Sequence, residues 1–138
     1  MRIRPFARSD TGAVVRLWEA TGLTRPWNDP RRDIERKLTV QPELFLVGEV
    51  DGCVVASAMA GYDGHRGWVY YLAVHPDHQR RGHGGQILQA VEERLLALGC
   101  PKVNMQVRRG NDAQVARAAA WGYAPDRATG LGKRLIAD

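Results

Sequence analysis

Two hydrophobic rhythms alternate along the chain, and their order sets the expected topology. "RIRPF" (2–6) reads as a short first strand. Val14, Leu17 and Trp18 then share one face of a helix that Ser9 and Asp10 can cap and Gly22 ends. "NDPRRDIERKL" restarts a helix, with Asp29 as N-cap and Pro30 at the first helical position, where a missing N–H costs nothing. "LFLVGEV" and "CVVASAMAGY" flank Asp51-Gly52, a two-residue turn of the kind that closes a hairpin. "WVYYLAV" follows through the loop "DGHRG" as a third antiparallel strand, and alternation puts Trp68, Tyr70 and Leu72 on one of its faces. Ile87, Leu88, Val91, Leu95 and Leu98 fall at helical spacing before a stop at Gly99. "KVNMQV" predicts another strand, "NDAQVARAAAW" a shorter helix and "LGKRLI" a last strand. The order β-α-α-β-β-β-α-β-α-β is that of a layered α/β or α+β protein, expected as one domain over residues 1–138.

Composition narrows the class. A chain of 138 residues with 44% apolar and 25% charged residues can build a soluble core without staples. No apolar run approaches the ~20 residues of a membrane span, and "MRIRPFARSD" lacks the apolar centre of a signal peptide. Cys53 and Cys100 form no CxxC pair and read as reduced thiols, so a cytoplasmic location is expected. The net charge of +5 favours an anionic ligand. Nucleic acid is the weaker choice of anion. Arg31-Arg32, Arg80-Arg81 and Arg108-Arg109 are scattered and no aromatic platform lies between them. His75, His78 and His83 lie across a strand end and a loop, with no His-Glu-x-x-His pattern and no cysteine partner, so no metal is expected.

The chemistry concentrates in "HQRRGHGGQIL" (78–88), which links the strand "YYLAV" to the long amphipathic helix. A helix N-terminus offers unpaired N–H groups and the positive end of its dipole. Gly82, Gly84 and Gly85 remove the side chains that would hold phosphate oxygens away from them. Charge-assisted hydrogen bonds of ~1.5–3 kcal/mol each outweigh the ~1 kcal/mol that each glycine costs the helix. A Walker A loop would need Gly-Lys-Ser/Thr, which is missing. The third glycine of a dinucleotide fingerprint would fall on Ile87, and "KVNMQV" ends without an acidic residue for a ribose.

Gln79-Arg80-Arg81-Gly82-His83-Gly84 instead fits Q/R-x-x-G-x-G/A, and with the strand before it and the helix after it resembles the acetyl-CoA loop of the GNAT (Gcn5-related) N-acetyltransferases. The predicted order of elements is also that family's order. "RPWNDP", "GYDGHRG" and "LGKRLI" further resemble its YpeA-type branch of small bacterial enzymes. The resemblance implies a mixed, mostly antiparallel central sheet with helices on both faces and splayed central strands. It implies acetyl-CoA as donor, CoA as product, and an amine acceptor on a small molecule, peptide or protein. The backbone of Leu72, Ala73 and Val74 matches the pantetheine-pairing strand. The amides of Arg80, Arg81, Gly82, His83, Gly84 and Gly85 match the pyrophosphate cradle, and Asn111 matches a side chain that contacts pantetheine. A strand amide at Leu72 could also polarise the thioester carbonyl.

Three positions depart from the family's pattern. The glutamates that members use for proton transfer would fall on Trp68 and Gln106, and a common tyrosine would fall on Ala118. Tyr70 is then the expected group to orient an amine or a water. Trp27, Asn28 and Asp29, together with Tyr62, Asp63, His65, Arg66 and Gln106, match regions that wall the acceptor. A catalytically weak acyl-CoA-binding or regulatory domain is the alternative, and a homodimer stays open.

Overall fold

Residues 1–138 are all described by a computed structural model, and they divide into two compact units: residues 1–105 with Asp138, and residues 106–137. The first unit holds β1 (Arg2–Pro5), α1 (Thr11–Ala20), α2 (Pro30–Lys37), β2 (Phe45–Val50), β3 (Cys53–Tyr62), β4 (Gly67–Val74), α3 (His83–Ala97) and β5 (Val103–Met105). Its sheet runs β1-β2-β3-β4-β5, antiparallel except for the parallel β4–β5 pair. The second unit contains α4 (Asp112–Ala120).

Local chemistry explains most of these elements. Asp51 and Gly52 both take left-handed backbone angles, φ 50° and 78°, as the tight β2–β3 turn requires. The Asp29 carboxylate accepts from the N–H groups of Arg31 (3.0 Å) and Arg32 (3.4 Å), which caps α2 behind Pro30. The sheet is covered on both sides. A side chain on Gly67 would start 2.9 Å from Leu95 and 3.0 Å from Cys100, so α3 lies close on that face. Trp18 of α1 packs with Phe45, Met59 and Ala73 on the other. In α3, Ile87, Leu88, Val91 and Leu95 are buried, each contributing ~1.5–3 kcal/mol. Leu98 does not extend the stripe as expected. The helix ends at Ala97 and turns through Gly99 (φ +84°), which leaves Leu98 51% exposed.

Two further expectations are corrected. "LGKRLI" forms no strand, and Leu131, Leu135 and Ile136 are exposed. A strand exists by pairing, and the second unit holds none for it to pair with. Asp10 precedes α1, but its carboxylate does not cap the helix. It accepts from Ala7 N–H (2.8 Å) and from both arms of the Arg4 guanidinium (2.7 and 2.9 Å), tying β1 to the start of α1.

The Arg4 contact holds the Asp10 carboxyl below its ordinary value against the opposing effect of burial. A depressed folded pKa gives stability that is present above the unfolded value, ~3.9, and lost as pH falls through the folded value. Asp10→Asn should therefore cost about 1–3 kcal/mol at pH 7, and the gap should close below about pH 4. Urea unfolding of both proteins at pH 7 and pH 2.5 measures the difference; a gap that stays constant would assign the loss to something other than the Arg4 ion pair. No helix of the fold is long and apolar enough to cross a membrane.

Candidate active site

The central strands part halfway along β4. β4 pairs with β5 only from Gly67 to Val69, so Tyr70–Val74 faces no strand on that edge. On its other side, Ser57 pairs with Ala73 and Met59 with Tyr70, leaving Ala58 opposite both Tyr71 and Leu72. That is a β-bulge, two residues against one. Tyr71 carries the distortion, with φ +51°, a conformation that costs a bulky residue ~1–3 kcal/mol.

Contacts from distant elements hold Tyr71 there. Its ring stacks on Trp18 with centroids 3.7 Å apart. Its hydroxyl donates to Asp33 at 2.6 Å, and Asn28 donates to Asp33 at 3.3 Å and to the Tyr71 oxygen at 3.5 Å. Buried Ser57 donates to the Tyr71 carbonyl (2.8 Å) and accepts from the Trp18 indole N–H (2.9 Å). Burial first, then the Asp33 hydrogen bond, pushes the Tyr71 phenol up to about 12, so it stays neutral near pH 7.

The bulge resets the alternation of β4. Trp68 and Tyr70 do share a face, with rings stacked at 6.3 Å. Tyr71 and Ala73 both join the Trp18 cluster, so Leu72 between them turns to the opposite face. The expectation that Leu72 accompanies Trp68 and Tyr70 fails for this reason.

Beyond β4, the Gln79 side chain donates to the Val74 carbonyl at 2.9 Å and fastens the loop to the strand. Arg80 (φ +62°) and Gly82 (φ +82°) then turn the chain so that Gly82 becomes the N-cap of α3. The first intrahelical bond runs from Gln86 N–H to Gly82 C=O at 3.1 Å. The N–H groups of Arg80, Arg81, Gly82, His83, Gly84 and Gly85 precede it and have no protein acceptor. These six donors lie at the positive end of a fifteen-residue helix.

Other expected site residues are occupied by local turns. Asp63 accepts from the N–H groups of His65 (2.8 Å) and Arg66 (2.7 Å), and these bonds hold its carboxyl below the usual range. The Tyr62 hydroxyl donates to Gly64 C=O at 3.3 Å, while the Gln41 side chain clamps both main-chain groups of Tyr62. His65 is exposed, as is Trp27 at 53%. Asp29 is committed to the α2 cap, whereas Asn28 reaches the Tyr71–Asp33 contact. In the second unit, Asn111 caps α4 by accepting from Gln114 N–H at 3.2 Å, Ala118 is buried and Gln106 is exposed. The rings of His75, His78 and His83 lie 6.2 and 6.4 Å apart in turn, and no three His, Cys, Asp or Glu side chains converge in a way that could hold a metal ion. Sequence reasoning missed Trp18, Asp33, Ser57 and Tyr71, whose roles depend on contacts across the fold.

The sequence and the fold can both be compared with those of known proteins. The profile of the Acetyltransferase (GNAT) family matches residues 13–123. Acetyltransferase YE1169 of Yersinia enterocolitica is 52% identical over 138 residues, covering 100% of this chain and 98% of that protein. Among solved structures, AAC(6')-Iy in complex with the bisubstrate analog CoA-S-monomethyl-acetylneamine superposes with a TM-score of 0.79 at 18% identity, covering 96% of this chain and 97% of that one. Ard1 from Thermoplasma volcanium gives a TM-score of 0.77 at 25% identity, covering 89% and 82%. With the family profile matched over residues 13–123 and a relative 52% identical along the whole chain, the chain belongs to the GNAT family of acetyltransferases.

Proposed function

We infer that this acetyltransferase moves the acetyl group of acetyl-CoA to a primary amine of a small molecule, peptide or protein. The observation that carries the reading is the row of six partnerless amides from Arg80 to Gly85, continuous with the open edge of β4. The cradle suits a pyrophosphate, and the Leu72–Val74 backbone can pair with an extended amide-bearing arm. Acetyl-CoA supplies the acyl group as a thioester. Leu72, which follows the bulged Tyr71 on a strand whose β5 edge is open, is the residue whose N–H would meet the thioester carbonyl. Trp27, Asn28, Tyr62, Asp63 and His65 are the residues proposed for the acceptor's surroundings, with Asp63 shaping the turn. The bisubstrate analog bound to AAC(6')-Iy joins CoA to acetylneamine, which supports a CoA-and-amine pairing here.

Tyr70 is the proposed orienting group. It is 48% exposed, and burial of its remainder, then the Asp63 charge, raises its phenol. It therefore remains a neutral O–H donor across the range in which an acceptor amine of pKa ~10.4 begins to deprotonate. Turnover should rise with pH as that amine loses its proton, with no falling limb from Tyr70 below about pH 10. Tyr70→Phe should lower kcat by about 10–10²-fold and leave CoA affinity near wild type. CoA release measured against an amine panel from pH 6 to 10 tests both statements; a wild-type rate in Tyr70→Phe removes Tyr70 from the mechanism.

Trp68, Gln106 and Ala118 favour one other reading, since none of them transfers a proton. In that case the protein is an acyl-CoA-binding or regulatory domain with little turnover. Stabilisation by CoA together with no acetylation of any amine in the panel would select it.

A further inference from the structure

α2 turns Asp33, Ile34 and Lys37 inward, and the two charges on that face are treated differently. Asp33 is engaged by Tyr71, Asn28 and Arg36. Lys37 is only 9% exposed, yet its ammonium makes no hydrogen bond and no ion pair. A lysine stem is seldom buried this far without a partner for its ammonium, which here keeps only its contact with solvent. Burial accordingly pulls its pKa down, and the field of Glu43 offsets this in part.

The position of that ammonium is informative. It lies 3.8 Å from the point where a side chain on Gly61 would begin. The Gln41 oxygen lies 3.4 Å from the same point but already accepts from Tyr62 N–H. Gly61 pairs with Trp68, and Met59, two residues earlier on the same face, pairs with Tyr70. Lys37 therefore stands over the strip of sheet that carries Trp68 and Tyr70, with its ammonium against the bare backbone of Gly61.

We propose that Lys37 is an anion-binding residue of the acceptor pocket, and that the acceptor is an amine also bearing a carboxylate or phosphate group. The proposal rests on the acetyl-transfer reading and deepens it by naming the substrate class. An anion delivered by the acceptor supplies the partner that Lys37 lacks, at an ammonium that keeps contact with solvent on a buried stem. The same ammonium disfavours a protonated acceptor amine beside it, and so favours the neutral nucleophile.

The chain holds three lysines, Lys37, Lys102 and Lys133, so a spectrum of protein labelled with 13C at lysine Cε is simple to read. Lys37→Gln assigns the Lys37 signal by its loss. 4-Aminobutanoate and 4-aminobutanamide form one matched pair of probes, and O-phosphoethanolamine and ethanolamine the other. Each is titrated with and without CoA. The anionic member should shift the Lys37 signal saturably and raise its titration midpoint, while its neutral partner leaves it in place. Response to the first pair alone identifies a carboxylate, and response to the second alone a phosphate. Lys37→Gln and Lys37→Met should weaken the effective anionic probe at least about tenfold, the loss expected from one charge-assisted hydrogen bond, while keeping the CoA-induced rise in Tm. The proposal is overturned if anionic and neutral members act alike on Lys37, or if neither moves it. Failure of CoA to stabilise the wild-type protein strikes the acetyl-transfer reading instead, since the titrations without CoA stand independently.

Discussion

Gly84→Val abolishes CoA binding in a protein that still folds. Gly84 is the second residue of α3 and is not among the glycines with left-handed backbone angles. Valine can adopt its conformation, and in a helix valine is no worse than glycine, which sits ~1 kcal/mol below alanine. The fold therefore has little to lose. The ligand has much to lose, because a branched side chain would stand among the N–H groups of His83, Gly84 and Gly85. Forfeiting two charge-assisted bonds of ~1.5–3 kcal/mol each weakens binding by about 3–6 kcal/mol, or roughly 10²–10⁴-fold. Wild-type protein at ligand 100-fold above Kd should gain ~2.7 kcal/mol, several degrees in Tm for a chain this size, and Gly84→Val should gain almost nothing. Gly82→Val would be a poorer choice, since φ +82° strains valine whether or not a ligand binds. A folded Gly84→Val protein with wild-type CoA affinity would falsify the assignment of the cradle.

Features that depend on a few adjacent residues were legible in the sequence. Asp51-Gly52, Asp29-Pro30 and the Gln79–Gly85 loop carry their geometry in their own side chains or in the lack of them, and the structure has each in place. Features decided by distant partners were not legible. Nothing in "WVYYLAV" distinguishes Tyr71 as the bulged residue, because its angle is set by Trp18, Ser57 and Asp33 from three other elements. The period-2 reading of β4 thus failed at the bulge, and with it the expected face of Leu72. "LGKRLI" failed for the converse reason: its alternation is a real pattern, but alternation describes only a surface that a partner strand must complete. Asp29 and Asp63 show short-range chemistry of the same legible kind, since backbone N–H groups two and three residues onward bond to their carboxylates. Lys37 is the opposite case. Spaced four residues from Asp33, it resembles half of an exposed helical ion pair, and only burial reveals that Asp33 is taken and Lys37 is left over.

Ser57→Ala should be among the most damaging conservative changes in the first unit, although it removes one oxygen atom. Ser57 is fully buried, and its hydroxyl is both acceptor for the Trp18 indole and donor to the Tyr71 carbonyl. Alanine fills nearly the same space but orphans both groups, and each buried orphan costs ~1–3 kcal/mol. The sum, about 2–6 kcal/mol, is a large part of the 5–15 kcal/mol typical of a domain and corresponds to a fall in Tm on the order of 10 °C. The loss also loosens Tyr71, whose left-handed angle needs its tethers, and thereby the adjoining Leu72 N–H. The amides of α3 are untouched, so turnover should fall more steeply than CoA affinity. Trp18→Phe keeps a ring against Tyr71 while deleting the indole donor, and supplies the second arm of a cycle. If the hydroxyl bridges the two groups, Trp18→Phe should cost less in the Ser57→Ala background than in wild type, by ~1 kcal/mol or more. Ser57→Ala melting within about 1 °C of wild type, or two changes that simply add, would show that the bridge does not hold the bulge.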